Sequence, residues 1–145
     1  MSGAIVVLAP GERYDPEKDI VLLISTPRRA ADNPTVFLNG TNTPAPREMR
    51  VGERYRLRLV NIHTARPSMI ARMMRDTTVL AWRAIAKDGM DLPNDLATVR
   101  PASQQSGNGE VYDFEFVPTE PGDIKFTVWT GNLATVLVTM PIRVR

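Results

Sequence analysis

Four side chains in this sequence are suited to holding a soft metal ion. They are the imidazole of His63 and the thioethers of Met69, Met73 and Met74. Imidazole suits zinc, copper and iron, and thioethers select cuprous copper. Each has a plainer alternative. A histidine just past a strand end is commonly a hydrogen-bonded loop residue, and methionine fills irregular gaps in cores. General acid or base work by His63 needs a partner, and none can be assigned from sequence. Asp88 and Asp91 flank Gly89 and Met90. Two carboxylates are too few for a calcium loop, so Asp88 reads as a turn former. No serine stands in a Gly-x-Ser-x-Gly setting, and Ser106-Gly107-Asn108-Gly109 reads as a hairpin turn, not a phosphate loop. The absence of cysteine excludes disulfides, thiolate metal sites and cysteine nucleophiles. No catalytic or cofactor-binding residue is therefore assigned. His63, Met69, Met73 and Met74 remain the candidates for a metal, against an expectation of none in this chain.

Composition narrows the class. The 145 residues carry 18 Lys and Arg against 16 Asp and Glu, a near balance, and the arginines are spread along the chain. That distribution fits the solvated face of a sheet and not a nucleic-acid footprint. No apolar run approaches the roughly 20 residues that a membrane helix needs. The opening Met1 to Pro10 is apolar but has no basic start and is short for a signal peptide. It reads as an edge or linker strand over Ile5 to Leu8. The lack of cysteine does not reveal the redox compartment.

The elements are organised around Val51 to Gly89. After the turn at Gly52-Glu53, Tyr55, Leu57 and Leu59 alternate with Arg54, Arg56 and Arg58. A period of two with one apolar face is a half-buried strand. Val79 to Lys87 is the second central strand, with Trp82, Ala84 and Ala86 on one face, closed by the turn Asp88-Gly89. Met69 and Met73 fit a helix by spacing, but Ser68 to Arg75 also alternates and is taken as strand. Ile20 to Ser25 is a short buried strand, and Asn39-Gly40 marks a hairpin turn. Tyr112, Phe114 and Phe116 form an aromatic core face. Ile124 to Trp129 is a further strand, and Thr135 to Thr139 and Ile142 to Arg145 are expected as separate strands broken by Pro141. Twelve prolines and nine glycines punctuate these runs. About nine or ten strands with turn signals every 8–12 residues indicate an all-β Greek-key β-sandwich or barrel. One domain over 1–145 is expected, with 1–34 as a lead-in and 35–145 as the sandwich core.

Several of these stretches resemble a known family. Gly-Glu-Arg-Tyr-Arg-Leu-Arg-Leu-Val-Asn-Ile over 52–62 and Ala86-Lys87-Asp88-Gly89 resemble the cupredoxin-like (plastocyanin-like) domains of laccase-like multicopper oxidases. Gly109-Glu110-Val111-Tyr112-Asp113-Phe114 resembles the family's Gly-Glu-x-Tyr-Asp strand, and Phe37-Leu38-Asn39-Gly40 a domain start. Gly3 to Val7 followed by Pro10-Gly11-Glu12-Arg13-Tyr14-Asp15 resembles the exit from a copper-binding domain. Pro121-Gly122 and the terminal Ile142-Arg143-Val144-Arg145 fit the last hairpin.

The resemblance implies a cupredoxin-like fold in an oxidase that draws electrons from a substrate at one copper and reduces oxygen at a trinuclear cluster. Those sites need a cysteine thiolate, several histidines and usually an axial methionine, and no position here matches a copper residue. By resemblance, then, this is a copper-free domain that orders copper-bearing cupredoxin domains of the same or a partner chain. Copper belongs to the parent enzyme, which is exported or periplasmic by family habit. Apolar patches exposed in isolation are expected near Ile5–Leu8 and Met69–Met74. A homo-oligomer is left open, as is the substrate. Two other classes stay in view. One is a standalone β-sandwich binding module for carbohydrate or protein, favoured if Trp82 or Trp129 is exposed. The other is a copper(I)-binding module built on His63 and the methionines.

Overall fold

The computed structural model describes residues 3–27 and 35–145. Among these there is no helix, and thirteen strands form two sheets. The first sheet holds β1 (Asp19–Ser25), β2 (Phe37–Leu38), β4 (Tyr55–Asn61), β7 (Ala81–Lys87), β8 (Met90–Asp91), β9 (Val99–Pro101) and β11 (Val111–Phe116), in the order β2-β1-β4-β11-β7-β8, with β9 also paired to β7. The second holds β3 (Arg47–Met49), β5 (Ser68–Arg75), β6 (Thr78–Val79), β10 (Ser103–Gly107), β12 (Gly122–Thr130) and β13 (Val136–Val144), in the order β10-β5-β12-β13-β3, with β6 paired to β5. β1 runs parallel to β4, and β3 to β13; the other pairings are antiparallel.

Alternation builds the core. Ile20, Leu22 and Ile24 of β1, Tyr55, Leu57 and Leu59 of β4, Trp82 and Ala84 of β7, and Phe114 and Phe116 of β11 all turn inward. They meet Met69, Ala71 and Met73 of β5, Phe126 and Val128 of β12, and Val138, Met140 and Ile142 of β13. β1 lies within the stretch expected as a lead-in, yet it sits between β2 and β4 and supplies three core side chains. The hairpin turns form as read. Asn39 and Gly40 have φ of 51° and 85°, and Asp88 and Gly89 have 50° and 82°. Positive φ at both central residues matches the right-handed twist of the flanking strands. Asn39 does more than turn. Its Nδ2 donates to the Val21 carbonyl at 2.8 Å and its Oδ1 accepts from the Leu23 N–H at 2.8 Å, so an amide side chain extends the β1 ladder.

The fold departs from the sequence reading in four places. Ile5 to Leu8 is not a strand; Ile5 and Val7 are exposed, and the segment has no sheet partner among the described residues. β13 runs unbroken through Pro141. Pro141 is exposed and precedes the β3 ladder, which begins at Ile142, so it meets the edge of the sheet, where a missing N–H is tolerated. Val79 to Lys87 divides at Leu80, because β6 belongs to one sheet and β7 to the other. Ala102 makes the same switch between β9 and β10. The two corners are tied together: Ala102 N donates to Leu80 O at 2.7 Å, Leu80 N to Met73 O at 2.9 Å, and Met73 N to Ala102 O at 3.0 Å. Strands that change sheet close the corners of such sandwiches. Finally, Ser106 and Gly107 belong to β10 and not to a turn.

Candidate functional site

β4 ends in the residues that tie the two sheets together. Asn61 is fully buried. Its Nδ2 donates to the Ser106 carbonyl at 3.0 Å and to Ser106 Oγ at 3.3 Å, and its Oδ1 accepts from the His63 N–H at 3.0 Å. Its backbone accepts from Gly109 N at 2.7 Å. One amide therefore clamps β4 of the first sheet to β10 of the second and fixes the chain entering His63.

His63 is wholly buried. Nδ1 accepts from the Ala65 N–H at 3.3 Å, which leaves the proton on Nε2. Nε2 is buried and makes no hydrogen bond of ordinary geometry. Burial pushes the pKa below the usual histidine range; the Thr35 backbone opposes that, and the Arg66 charge adds to it. The imidazole is a neutral, enclosed group.

The methionines do not converge. β5 alternates, so Met69 and Met73 face the core while Met74, next in sequence, faces outward. Four residues of strand separate Met69 from Met73 by about 13 Å, too far to share one ion. All three are buried, so the exposed patch expected over Met69–Met74 is not there. Met74 Sδ instead accepts from Thr127 Oγ1 at 3.6 Å. Among the described residues no group of three or more His, Cys, Asp or Glu side chains could hold a metal ion. The donor set does not fit a copper centre: there is no thiolate, the imidazole is sealed, and the thioethers lie on opposite faces.

The two indoles differ. Trp82 is buried and stacks on Phe114 with 4.0 Å between ring centroids. Trp129 is half-buried on the outer face of the second sheet, with the Arg72 guanidinium 5.8 Å from its ring centroid, and its Nε1–H donates to Thr127 Oγ1 at 2.8 Å. The outer face of the first sheet is a chain of ion pairs. Arg58 makes two 2.6 Å bonds to Asp19 and one of 3.1 Å to Asp113, and Arg56 reaches Asp113 Oδ2 at 3.0 and 2.6 Å. The arginines that alternation marked as solvated are thus partly covered by their own partners; the Arg58 side chain is only 13% exposed. Asp88 acts as a turn former, its Oδ1 accepting from the Val111 N–H at 3.0 Å.

Exposed large apolar side chains lie elsewhere. Ile5 is 92% exposed and Val7 81%, on the segment that precedes β1. Met90 and Val99 are exposed at the β8 and β9 edge.

No family profile matches the chain, and no curated protein matches it. Solved structures do. A copper-containing nitrite reductase (NirK) from Thermus scotoductus SA-01 superposes with a TM-score of 0.67 at 17% identity, covering 96% of this chain and 35% of that one. A laccase-like multicopper oxidase, CueO from an Ochrobactrum species, gives 0.68 at 19%, covering 88% and 31%. A blue copper oxidase from Nitrosomonas europaea gives 0.63 at 17%, covering 88% and 43%. The fold is cupredoxin-like. The chain spans less than half the length of each of these proteins.

Proposed function

We propose that this chain is a copper-free cupredoxin-like domain of a multicopper oxidase, and that it holds and orients copper-bearing cupredoxin domains of the same or a partner chain. One observation carries the reading. The chain has the fold of copper oxidases but lacks their donor atoms, with no cysteine in the sequence and its single histidine enclosed. A fold kept without its ligands acts through its surfaces. The exposed Ile5 and Val7 supply apolar area of the kind that a neighbouring domain covers. Chemistry on the substrate and on oxygen belongs to the copper centres of the parent, which is exported or periplasmic on this reading. His63, Met69, Met73 and Met74 serve packing.

The test is metal uptake by the purified chain. After reconstitution with cupric and then cuprous copper, metal content is measured beside the visible spectrum. The expected result is no stoichiometric copper and no intense blue band. Stoichiometric cuprous binding that is lost in the Met73→Leu, Met74→Leu pair would overturn the proposal and make the methionines a metal site.

A further inference from the structure

The two sheets treat their outer cations differently. On the first, Arg54, Arg56 and Arg58 each meet a carboxylate, from Glu115, Asp113 and Asp19. On the second, Arg72 and Lys125 meet none among the described residues. Register sets these two together. Ile124, Phe126 and Val128 of β12 are core, so Lys125, Thr127 and Trp129 face outward. Arg72, outward between Ala71 and Met73, stands opposite Thr127. Lys125 and Trp129 are therefore its diagonal neighbours, about 7–8 Å away in the sheet. The Arg72 side chain is anchored: Nε donates to Ser103 Oγ at 3.0 Å, and the guanidinium carbon lies 5.8 Å from the Trp129 ring centroid. The indole is anchored in turn through Thr127. The two terminal nitrogens of Arg72 and Nζ of Lys125 make no hydrogen bond among the described residues, and they are not sealed from solvent. The acids of this face, Asp123 and Glu48, are already taken by Arg143 and Arg145 at 3.3 and 2.7 Å. Two open cations remain beside a half-buried indole.

We propose that the outer face of the second sheet binds an acidic saccharide, a chain of uronic acid units. Charge selects an anion. A guanidinium with both terminal nitrogens free takes a carboxylate bidentately, and side chains already anchored lose little freedom on binding. Place selects a sugar over a peptide. Peptides add to a free sheet edge or lie in an apolar groove. β5 and β12 are paired on both sides, and the open groups between them are cations. A sugar ring needs neither an edge nor a groove. Its C–H face packs on indole carbon, and its hydroxyls bond to polar side chains such as Thr139, half-buried opposite Thr127. Arg72 takes one carboxylate, Lys125 takes that of a neighbouring unit, and Trp129 contacts the ring. This site goes beyond the interdomain role and does not depend on it.

The experiment is a titration of the whole chain by ¹H–¹⁵N NMR with trigalacturonate at low salt. Its methyl ester keeps the rings and loses the charge; triglutamate keeps the carboxylates and loses the rings. The chain has two tryptophans, and the indole cross-peak missing in Trp129→Phe is assigned to Trp129. Trigalacturonate should move that peak saturably, leave the Trp82 peak in place, and bind at least about tenfold tighter than either control, as expected for one charge-assisted hydrogen bond. Added salt should weaken it. Arg72→Met keeps the side-chain stem and should lower affinity about tenfold or more. Lys125→Glu, which removes no hydrogen bond among the described residues, should lower it as well, while Arg54→Met on the other sheet should not. The proposal fails if the Trp129 peak is unmoved at about 10 mM trigalacturonate, where a site of about 1 mM is filled. It also fails if triglutamate binds as tightly, which would leave a surface for acidic protein, or if Arg72→Met and Lys125→Glu both bind as the parent does.

Discussion

Replacing Asn61 with alanine should remove the clamp between the sheets. The amide makes bonds to the Ser106 carbonyl, Ser106 Oγ and the His63 N–H, and Asn61, Ser106 and His63 are all fully buried. In Asn61→Ala the Ser106 carbonyl and the His63 N–H lose these partners where water does not reach. Each buried group left unsatisfied costs about 1–3 kcal/mol, so the substitution should destabilise the fold by about 2–6 kcal/mol. That is a large part of the 5–15 kcal/mol typical of a domain. Equilibrium urea unfolding, followed by tryptophan fluorescence, reads the loss directly. With a slope of about 1–3 kcal/mol per molar urea, the midpoint should fall by about 0.7 M or more with the slope unchanged. Ser106→Ala is the matched control: it deletes only the hydroxyl at 3.3 Å, keeps the carbonyl bond, and should cost about 1 kcal/mol or less. A midpoint for Asn61→Ala within about 0.3 M of the parent, or equal losses in the two variants, would refute the clamp.

Two further predictions concern charge. Burial lowers the His63 pKa from its ordinary value of 6.5, so the unfolded chain takes up a proton before the folded one does. The stability contributed by the neutral ring is therefore complete above about pH 6.5 and is lost as pH falls through the folded pKa, at no more than about 1.4 kcal/mol per pH unit. His63 is the only histidine, so urea midpoints should decline between pH 7.5 and 5.5 in the parent and stay flatter in His63→Gln; parallel curves would count against it. Asp113→Asn weakens three bonds from Arg56 and Arg58 at a carboxylate that is 7% exposed. Breaking a buried pair from one side costs about 3–5 kcal/mol, but Arg56 is 36% exposed and water offsets part of that, so about 2–3 kcal/mol is expected. A thermal unfolding midpoint within a degree or two of the parent would contradict it.

Local signals carried much of the fold. The alternation of Tyr55, Leu57 and Leu59 and the Asn39-Gly40 and Asp88-Gly89 turns all name their structures because they act over two to seven residues. β5 was ambiguous for a physical reason: Met69 and Met73 satisfy both a helical and a strand period, and only the ladders on either side, β10 and β12, decide for strand. β10 itself left little trace. Its single buried residue is Ser106, a polar side chain held inside by Asn61 from 45 residues away. The unpaired Ile5 to Leu8 is the converse case, with strand-like composition and no ladder partner among the described residues.

The candidate site shows the same division. That a thiolate-ligated copper site could not be assembled from this chain was legible from residue types alone, since it rests on a missing donor atom and not on placement. That the methionines point apart needed the pleat of β5, and that His63 is enclosed needed the contact between sheets. The corner where strands change sheet needed still more. Trp82 was legible as a core residue from its place in the alternation of β7, and it is one. β6 hands over to β7 at Leu80 and β9 to β10 at Ala102, so the two sheets are joined at a corner. Neither residue is a glycine or a proline, and neither interrupts an apolar pattern. A corner of this kind is set by which neighbour each half of the strand finds, and no local residue choice announces it.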